Sequence, residues 1–148
     1  MHVDVAKCIN TAVEEIEAAY PTASIMIRGK LDGTVCGDER VRYAFQEAME
    51  NAVEHSDKKC PHIEISIRPA EITENGLIEV VIADDGPGIP KEQRDVIRSG
   101  EETPLIHGSG IGLWLIEWAV ASVGGEVTFE DNAPRGTRVV FHIPSECH

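Results

Sequence analysis

Residues 39–56, ERVRYAFQEAMENAVEHS, constrain what this chain can become more than any other stretch. Val41, Ala44, Phe45, Ala48, Met49, Ala52 and Val53 fall at i, i+3, i+4, i+7, i+8, i+11 and i+12, the period of one continuous apolar helix face and not of a strand. On the flank of that face Glu47, Asn51 and Glu54 follow at i, i+4 and i+7, with His55 beside them, so a carboxylate and an amide project together one turn apart. Taken alone, such a flank is an ordinary solvated surface. Two later motifs change its weight: Asp84-Asp85-Gly86-Pro87-Gly88-Ile89 follows a hydrophobic strand, and Gly108-Ser109-Gly110-Ile111-Gly112-Leu113 opens a long apolar helix.

Length and charge narrow the function classes. A chain of 148 residues with 42% hydrophobic residues fits one domain, residues 1–148, with one core. No apolar run approaches the roughly 20 residues that a membrane helix needs, and residues 1–10 lack a basic-then-apolar layout, so a soluble, cytoplasmic piece with no membrane insertion of its own is expected. The surplus of 26 acidic over 13 basic residues, formal charge −13, argues against a nucleic-acid groove, which needs clustered Lys and Arg. The same surplus fits a very soluble surface or a salty cytoplasm that screens self-repulsion. Cys8, Cys36, Cys60 and Cys147 are scattered, which indicates neither a zinc site nor a disulfide framework.

In chain order, residues 3–20 carry helical apolar spacing up to Pro21. Residues 24–28 and 34–36 are short strand candidates whose turn-rich link is compatible with a small hairpin, and Asp38 is placed to cap the helix that follows. Ile63, Ile65 and Ile67 alternate with polar residues as a half-buried strand, and residues 77–83 form a denser, central one. Residues 91–99 fit a short helix, while 100–107 have neither periodicity nor a compact turn and read as a lid. A buried helix over 111–123 ends at Gly124-Gly125, and strands over 126–130 and 137–143 finish the sheet across a turn-forming cluster.

A carboxylate that ends a buried strand and is followed by glycines can accept a hydrogen bond from an exocyclic amine while the backbone approaches a flat ring, two demands that adenine meets. The second glycine run leads into a helix N-terminus, whose free N–H groups and dipole favour phosphate oxygens, and its spacing is neither G-x-G-x-x-G nor the P-loop pattern. With the E-x-x-x-N pair of Glu47 and Asn51, these boxes stand in one order. In this the chain resembles the GHKL ATPases of gyrase, heat-shock chaperone, histidine kinase and mismatch-repair types, whose N box reads E/N-x-x-x-N and whose glycine boxes read D-x-G-x-G and G-x-G-x-G/A. The string over 101–114, EETPLIHGSGIGLW, is most similar to sensor histidine kinases of halophilic archaea.

The resemblance implies an α+β fold, the two-layer α/β sandwich of the Bergerat ATP-binding type, with a mixed, mostly antiparallel sheet of about five strands and three helices on one face. It implies ATP and Mg2+ as cofactors. Asn51 would hold the magnesium, and Glu47 would act on the attacking group or hold a metal-bound water. Asp84 would read the adenine amine in a pocket shaped by Gly86, Gly88 and Ile89. Gly108, Ser109, Gly110, Ile111, Gly112 and Leu113 would take the phosphates, with His55 and His107 flanking the pocket and Thr137 closing it in a G-T-x-F-like element. Glu54 departs from the family, since many histidine kinases carry Lys there, and Arg98, with Arg94, is the candidate replacement from the lid side. Asp85 stands where Asn is common, and the family's Phe-containing box is reduced to Val96-Ile97. No phosphoacceptor histidine segment is present, so the implied partners are a separate histidine-bearing dimerisation domain and, downstream, a response regulator. The implied enzyme is a protein histidine kinase catalytic domain. Two other readings stand beside it: an anti-sigma-factor-like serine kinase, and a nucleotide-gated binding module without phosphotransfer.

Overall fold

The structure, a computed structural model, describes residues 2–29, 33–68, 77–87, 107–133 and 135–145, and the side chains of 107–113 are outside that description. The elements run β1 (His2–Asp4), α1 (Val5–Ala19), β2 (Ser24–Arg28), β3 (Thr34–Cys36), α2 (Glu39–Glu54), β4 (His62–Arg68), β5 (Leu77–Asp84), α3 (His107–Ala121), β6 (Glu126–Asp131) and β7 (Thr137–Pro144). Five strands form one sheet in the order β2-β4-β5-β7-β6; β2 and β4 are parallel and the other pairs antiparallel. This is the expected mixed sheet with the dense strand at its centre.

Alternation along these strands decides where the core lies. Ile63 and Ile65 of β4, Val80 and Ile82 of β5 and Val139, Phe141 and Ile143 of β7 are buried on one face. Against them pack the apolar stripes of the helices: Val5, Ile9, Ala12 and Ile16 of α1, Val41, Phe45 and Met49 of α2, and Ile116, Ala119 and Val120 of α3. Phe45 meets Phe141 edge to face, centroids 5.0 Å apart at 87°, so the middle of the N-box helix is pinned to the second strand from the sheet edge. Fully burying a ring of this size is worth about 1.5–3 kcal/mol, before the further gain of an edge-on aromatic pair. Asp38 caps α2 as expected, accepting the Arg40 N–H at 2.9 Å. The Arg40 guanidinium also grips both carboxylate oxygens, which holds the Asp38 carboxyl down at about 2.

Four expectations are corrected. The chain does not enter a helix at Val3: residues 2–4 are a strand, and Asp4 caps a helix that begins at Val5 by accepting the Lys7 N–H. Segments 24–28 and 34–36 do not form a hairpin, because β2 runs parallel to β4 and β3 pairs instead with β1. A strand three residues long carries too little pattern to choose its partner. The last helix starts at His107 rather than Ile111, so the second glycine run, read as opening that helix, lies wholly inside its first half. Cys36 is disulfide-bonded, since spacing along the chain does not report distance in space, whereas Cys8 and Cys60 are free. The proposed helix over 91–99 and lid over 100–106 lie outside the described residues. Among the described residues no helix is long and apolar enough to cross a membrane.

Candidate nucleotide site

With its apolar stripe buried, α2 holds its polar flank at the edge of the core. Glu47 and Asn51 are half-buried; Glu54 and His55 are exposed. Burial pushes the Glu47 carboxyl up, the Glu54 charge adds to this, and the Tyr43 hydroxyl opposes it by hydrogen bonding. Glu50 is raised in the same way, by burial and then by Glu47 and Glu54. Three carboxylates on one helix flank thus repel one another, an arrangement that a nearby cation would relieve. The Asn51 side-chain Nδ2 is buried with no hydrogen-bond partner among the described residues. Because nitrogen and oxygen of an amide are interchangeable by a flip, this is a buried amide end with an unmet bond.

Glu54 is occupied elsewhere. The Tyr20 hydroxyl, just past the end of α1, donates to its Oε1 at 2.9 Å, and this bond pushes the tyrosine up to about 12. This carboxylate therefore ties two helix ends together.

The first glycine box sits where the central strand ends. Asp84 Oδ1 accepts the Gly86 N–H at 2.9 Å and the Thr137 N–H at 3.2 Å. Burial pushes the Asp84 carboxyl up, those two bonds pull it down, and the neighbouring Asp85 charge raises it again, with a net upward shift. Asp85 points the other way: its oxygens take the Lys58 ammonium at 3.0 Å and the His62 N–H at 3.3 Å, which hold it below the usual range despite its burial. Asp85 is thereby paired with a lysine.

The expected residues come together in part. A Cβ on Gly86 would lie 3.6 Å from the Ser56 Cα and 3.9 Å from the His55 carbonyl oxygen, so the first glycine box abuts the exit of α2. His55 in turn donates its backbone N–H to the Asn51 carbonyl at 3.0 Å, which places the N box one helical turn from that junction. Asp84, Gly86 and Thr137 are thus joined directly, and His55 and Asn51 follow through backbone alone. Gly88, Ile89, Arg94 and Arg98 lie outside the described residues. Of His107, Gly108, Ser109, Gly110, Ile111, Gly112 and Leu113 the backbone is the first half of α3, whose leading N–H groups have no partner within the helix.

Three contributors escaped the sequence. Asn132 Nδ2 donates to the Asp84 carbonyl at 2.7 Å, and Arg135 donates from Nε to the Gly86 carbonyl at 2.9 Å and from Nη2 to Asp57 at 2.7 Å. Both sit in what the sequence marks only as a turn cluster. Tyr20 is the third. Gly136 was part of the same turn, and its reason is specific: φ is +110° and a Cβ there would stand 2.0 Å from the Asp84 carbonyl oxygen.

Residues 37–146 match the family described as histidine kinase-, DNA gyrase B-, and HSP90-like ATPase, and the chain belongs to that family. It is similar to the sensor-type histidine kinase PrrB of Mycobacterium tuberculosis, 25% identical over 146 residues, which span 96% of this chain and 31% of that protein. The chain thus spans about a third of the length of that curated relative. Among solved structures, a mycobacterial sensor histidine kinase MprB aligns with TM-score 0.78 at 24% identity over 100% of both chains. The catalytic domain of histidine kinase ThkA aligns with TM-score 0.80 at 19% identity over 100% of this chain and 98% of that one. These two likenesses establish the shared α+β fold.

Proposed function

We propose that the chain is the ATP-binding catalytic domain of a two-component sensor histidine kinase. It would transfer the γ-phosphate of ATP to a histidine on a separate dimerisation domain, from which a response regulator would be charged. The observation that carries the nucleotide reading is Asp84. Its Oδ1 is engaged by two backbone N–H groups, which fixes the carboxylate at the end of β5 and directs the remaining acceptor capacity to a ligand amine. The kinase subtype is supported by the similarity to the sensor kinase PrrB, which runs over 96% of this chain and 31% of that protein.

The donor set suits magnesium. Asn51 offers a buried amide end with an unmet bond, and Glu47 lies one turn away among mutually repelling carboxylates. Magnesium takes few protein oxygens and keeps phosphates and water, so Asn51 would hold it directly and Glu47 through water. When bound, it would neutralise phosphate charge. The chain's own residues do the rest: the Asp84 region binds and orients the base, the leading N–H groups of α3 receive phosphate oxygens, and Glu47 is placed to accept a proton.

Incubation with radiolabelled ATP, magnesium and a separately expressed histidine-bearing hairpin tests this. An acid-labile label on the hairpin is the expected result. An acid-stable label on a hydroxyl would move the reading to an anti-sigma-factor-like serine kinase, and no label at all to a nucleotide-gated binding module.

The proposal extends to habitat. The acidic surplus and the string over 101–114 point to a salt-loving archaeal kinase working in a salty cytoplasm, although PrrB is bacterial. At charge −13 the fold should gain stability as salt screens its self-repulsion. Unfolding midpoints should therefore rise between low and molar KCl, and indifference to KCl would remove this part of the reading.

A further inference from the structure

We infer that Arg135 is a positioning residue that sets base selectivity by clamping the first glycine box to the exit of the N-box helix. The inference rests on Asp84 reading the base and names what fixes that reader in place.

The turn between β6 and β7 grips Asp84 and its neighbour from several sides. Asn132 Nδ2 donates to the Asp84 carbonyl at 2.7 Å, the Thr137 N–H reaches its carboxylate at 3.2 Å, and Gly136 lies against its carbonyl where no side chain fits. Gly86 is held at both of its polar groups: its N–H goes to Asp84 Oδ1 at 2.9 Å and its carbonyl receives Arg135 Nε at 2.9 Å. Arg135 alone among these reaches beyond the pocket, since its Nη2 contacts Asp57 at 2.7 Å in the segment that leaves α2. The guanidinium fork therefore joins the Gly86 backbone carbonyl, beside the proposed base reader, to the Asp57 side chain in the segment that leaves the N-box helix. That pairing draws the Asp57 carboxyl below its usual range.

Two bonds from one rigid planar group fix an angle as well as a distance, and lysine cannot reproduce that. Without the clamp the 84–86 segment could shift, and the carboxylate would lose its fixed aim. GTP presents a carbonyl where ATP presents the amine, so it faces an aimed carboxylate acceptor to acceptor. A loosened carboxylate tolerates this better. Arg135 contacts would then govern the ratio of ATP to GTP affinity more than phosphate affinity.

Calorimetric titration of the whole chain with Mg-ATP, Mg-GTP and magnesium triphosphate tests the clamp in wild type, Arg135→Lys, Asp57→Ala and Asp84→Asn. Arg135→Lys should lower the ATP:GTP affinity ratio about tenfold and leave triphosphate affinity at the wild-type value. Asp57→Ala, a surface change that leaves Nε on Gly86, should move the ratio in the same direction by less. Wild-type ratios in both variants would overturn the clamp, and so would equal losses for all three ligands, the mark of a general structural role. A wild-type protein that does not prefer ATP, or Asp84→Asn with an unchanged ratio, would instead overturn the adenine reading and take the clamp with it.

Discussion

Glu47→Gln is expected to bind Mg-ATP near normally and to lose on the order of 10²-fold or more in phosphotransfer, whereas Asn51→Ala should lose most of the affinity that magnesium adds. The two residues lie one turn apart on α2, yet on the proposed reading their chemistry would divide the work. Gln keeps the shape of Glu but not its charge or its proton affinity, and it is proton affinity that burial and the Glu54 charge raise at Glu47. A raised carboxyl is a better proton acceptor at neutral pH, and its activity should fall away at a higher pH than that of an ordinary glutamate as the medium is acidified. Asn51 has no proton to exchange, so its loss should appear in magnesium-dependent binding while metal-free ATP binding survives. Full-rate transfer to a supplied hairpin by Glu47→Gln would end the base role and leave positioning and electrostatics as the whole of its contribution.

Asp84→Asn should weaken ATP binding about ten- to hundredfold, the cost of losing a hydrogen bond to a charged acceptor, about 1.5–3 kcal/mol. The structure adds a second expectation. An asparagine can keep its oxygen at the Oδ1 position, where it accepts the Gly86 and Thr137 N–H groups, and place its amide nitrogen toward the base. The pocket is then preserved and only the face offered to the ligand changes. Burial raises the Asp84 carboxyl, so the folded protein holds that proton more tightly than the unfolded chain does. Stability from this group is complete below the unfolded value of about 3.9 and is lost as pH rises through the raised folded value. At neutral pH the ionised side chain is therefore a net cost to the fold, which Asn removes. The variant should melt no lower than wild type at pH 7 while titration calorimetry reads the weaker binding; wild-type affinity would refute the adenine role.

The parts of this fold that the sequence announces are those with long, one-sided patterns. The seven apolar positions of α2, the alternating isoleucines of β4 and the dense run of β5 each recur often enough to fix element type and facing. The short strand β1 was missed, and β3, though read as a strand, was given the wrong partner, for the opposite reason: three residues cannot carry a period, and their pairing depends on where α1 and the main sheet bring them. The site divides in the same way. Glu47, Asn51 and Asp84 were legible as candidates because their spacing or their place after a strand has a local meaning. Arg135 and Asn132 were not, because their partners lie 49 and 48 residues away and nothing in the local sequence distinguishes them from ordinary turn residues. Glu54 was legible as a departure but not in its consequence, since its partner Tyr20 lies 34 residues earlier, just past the end of α1.

The length of those separations bears on how the protein is made. The Asp57–Arg135 contact joins residues 78 apart and the Asp84–Thr137 bond residues 53 apart, so neither can close until β7 has been inserted between β5 and β6. Closing such large loops costs chain entropy before any contact repays it, and contacts of this kind form late. During synthesis a nascent chain that has emerged only as far as α3 already carries the N box and both glycine runs, yet Asp84 lacks the turn that grips it. Nucleotide capture would therefore begin only once the final hairpin is in register, and a ligand that binds the finished pocket would draw the last step of folding to completion.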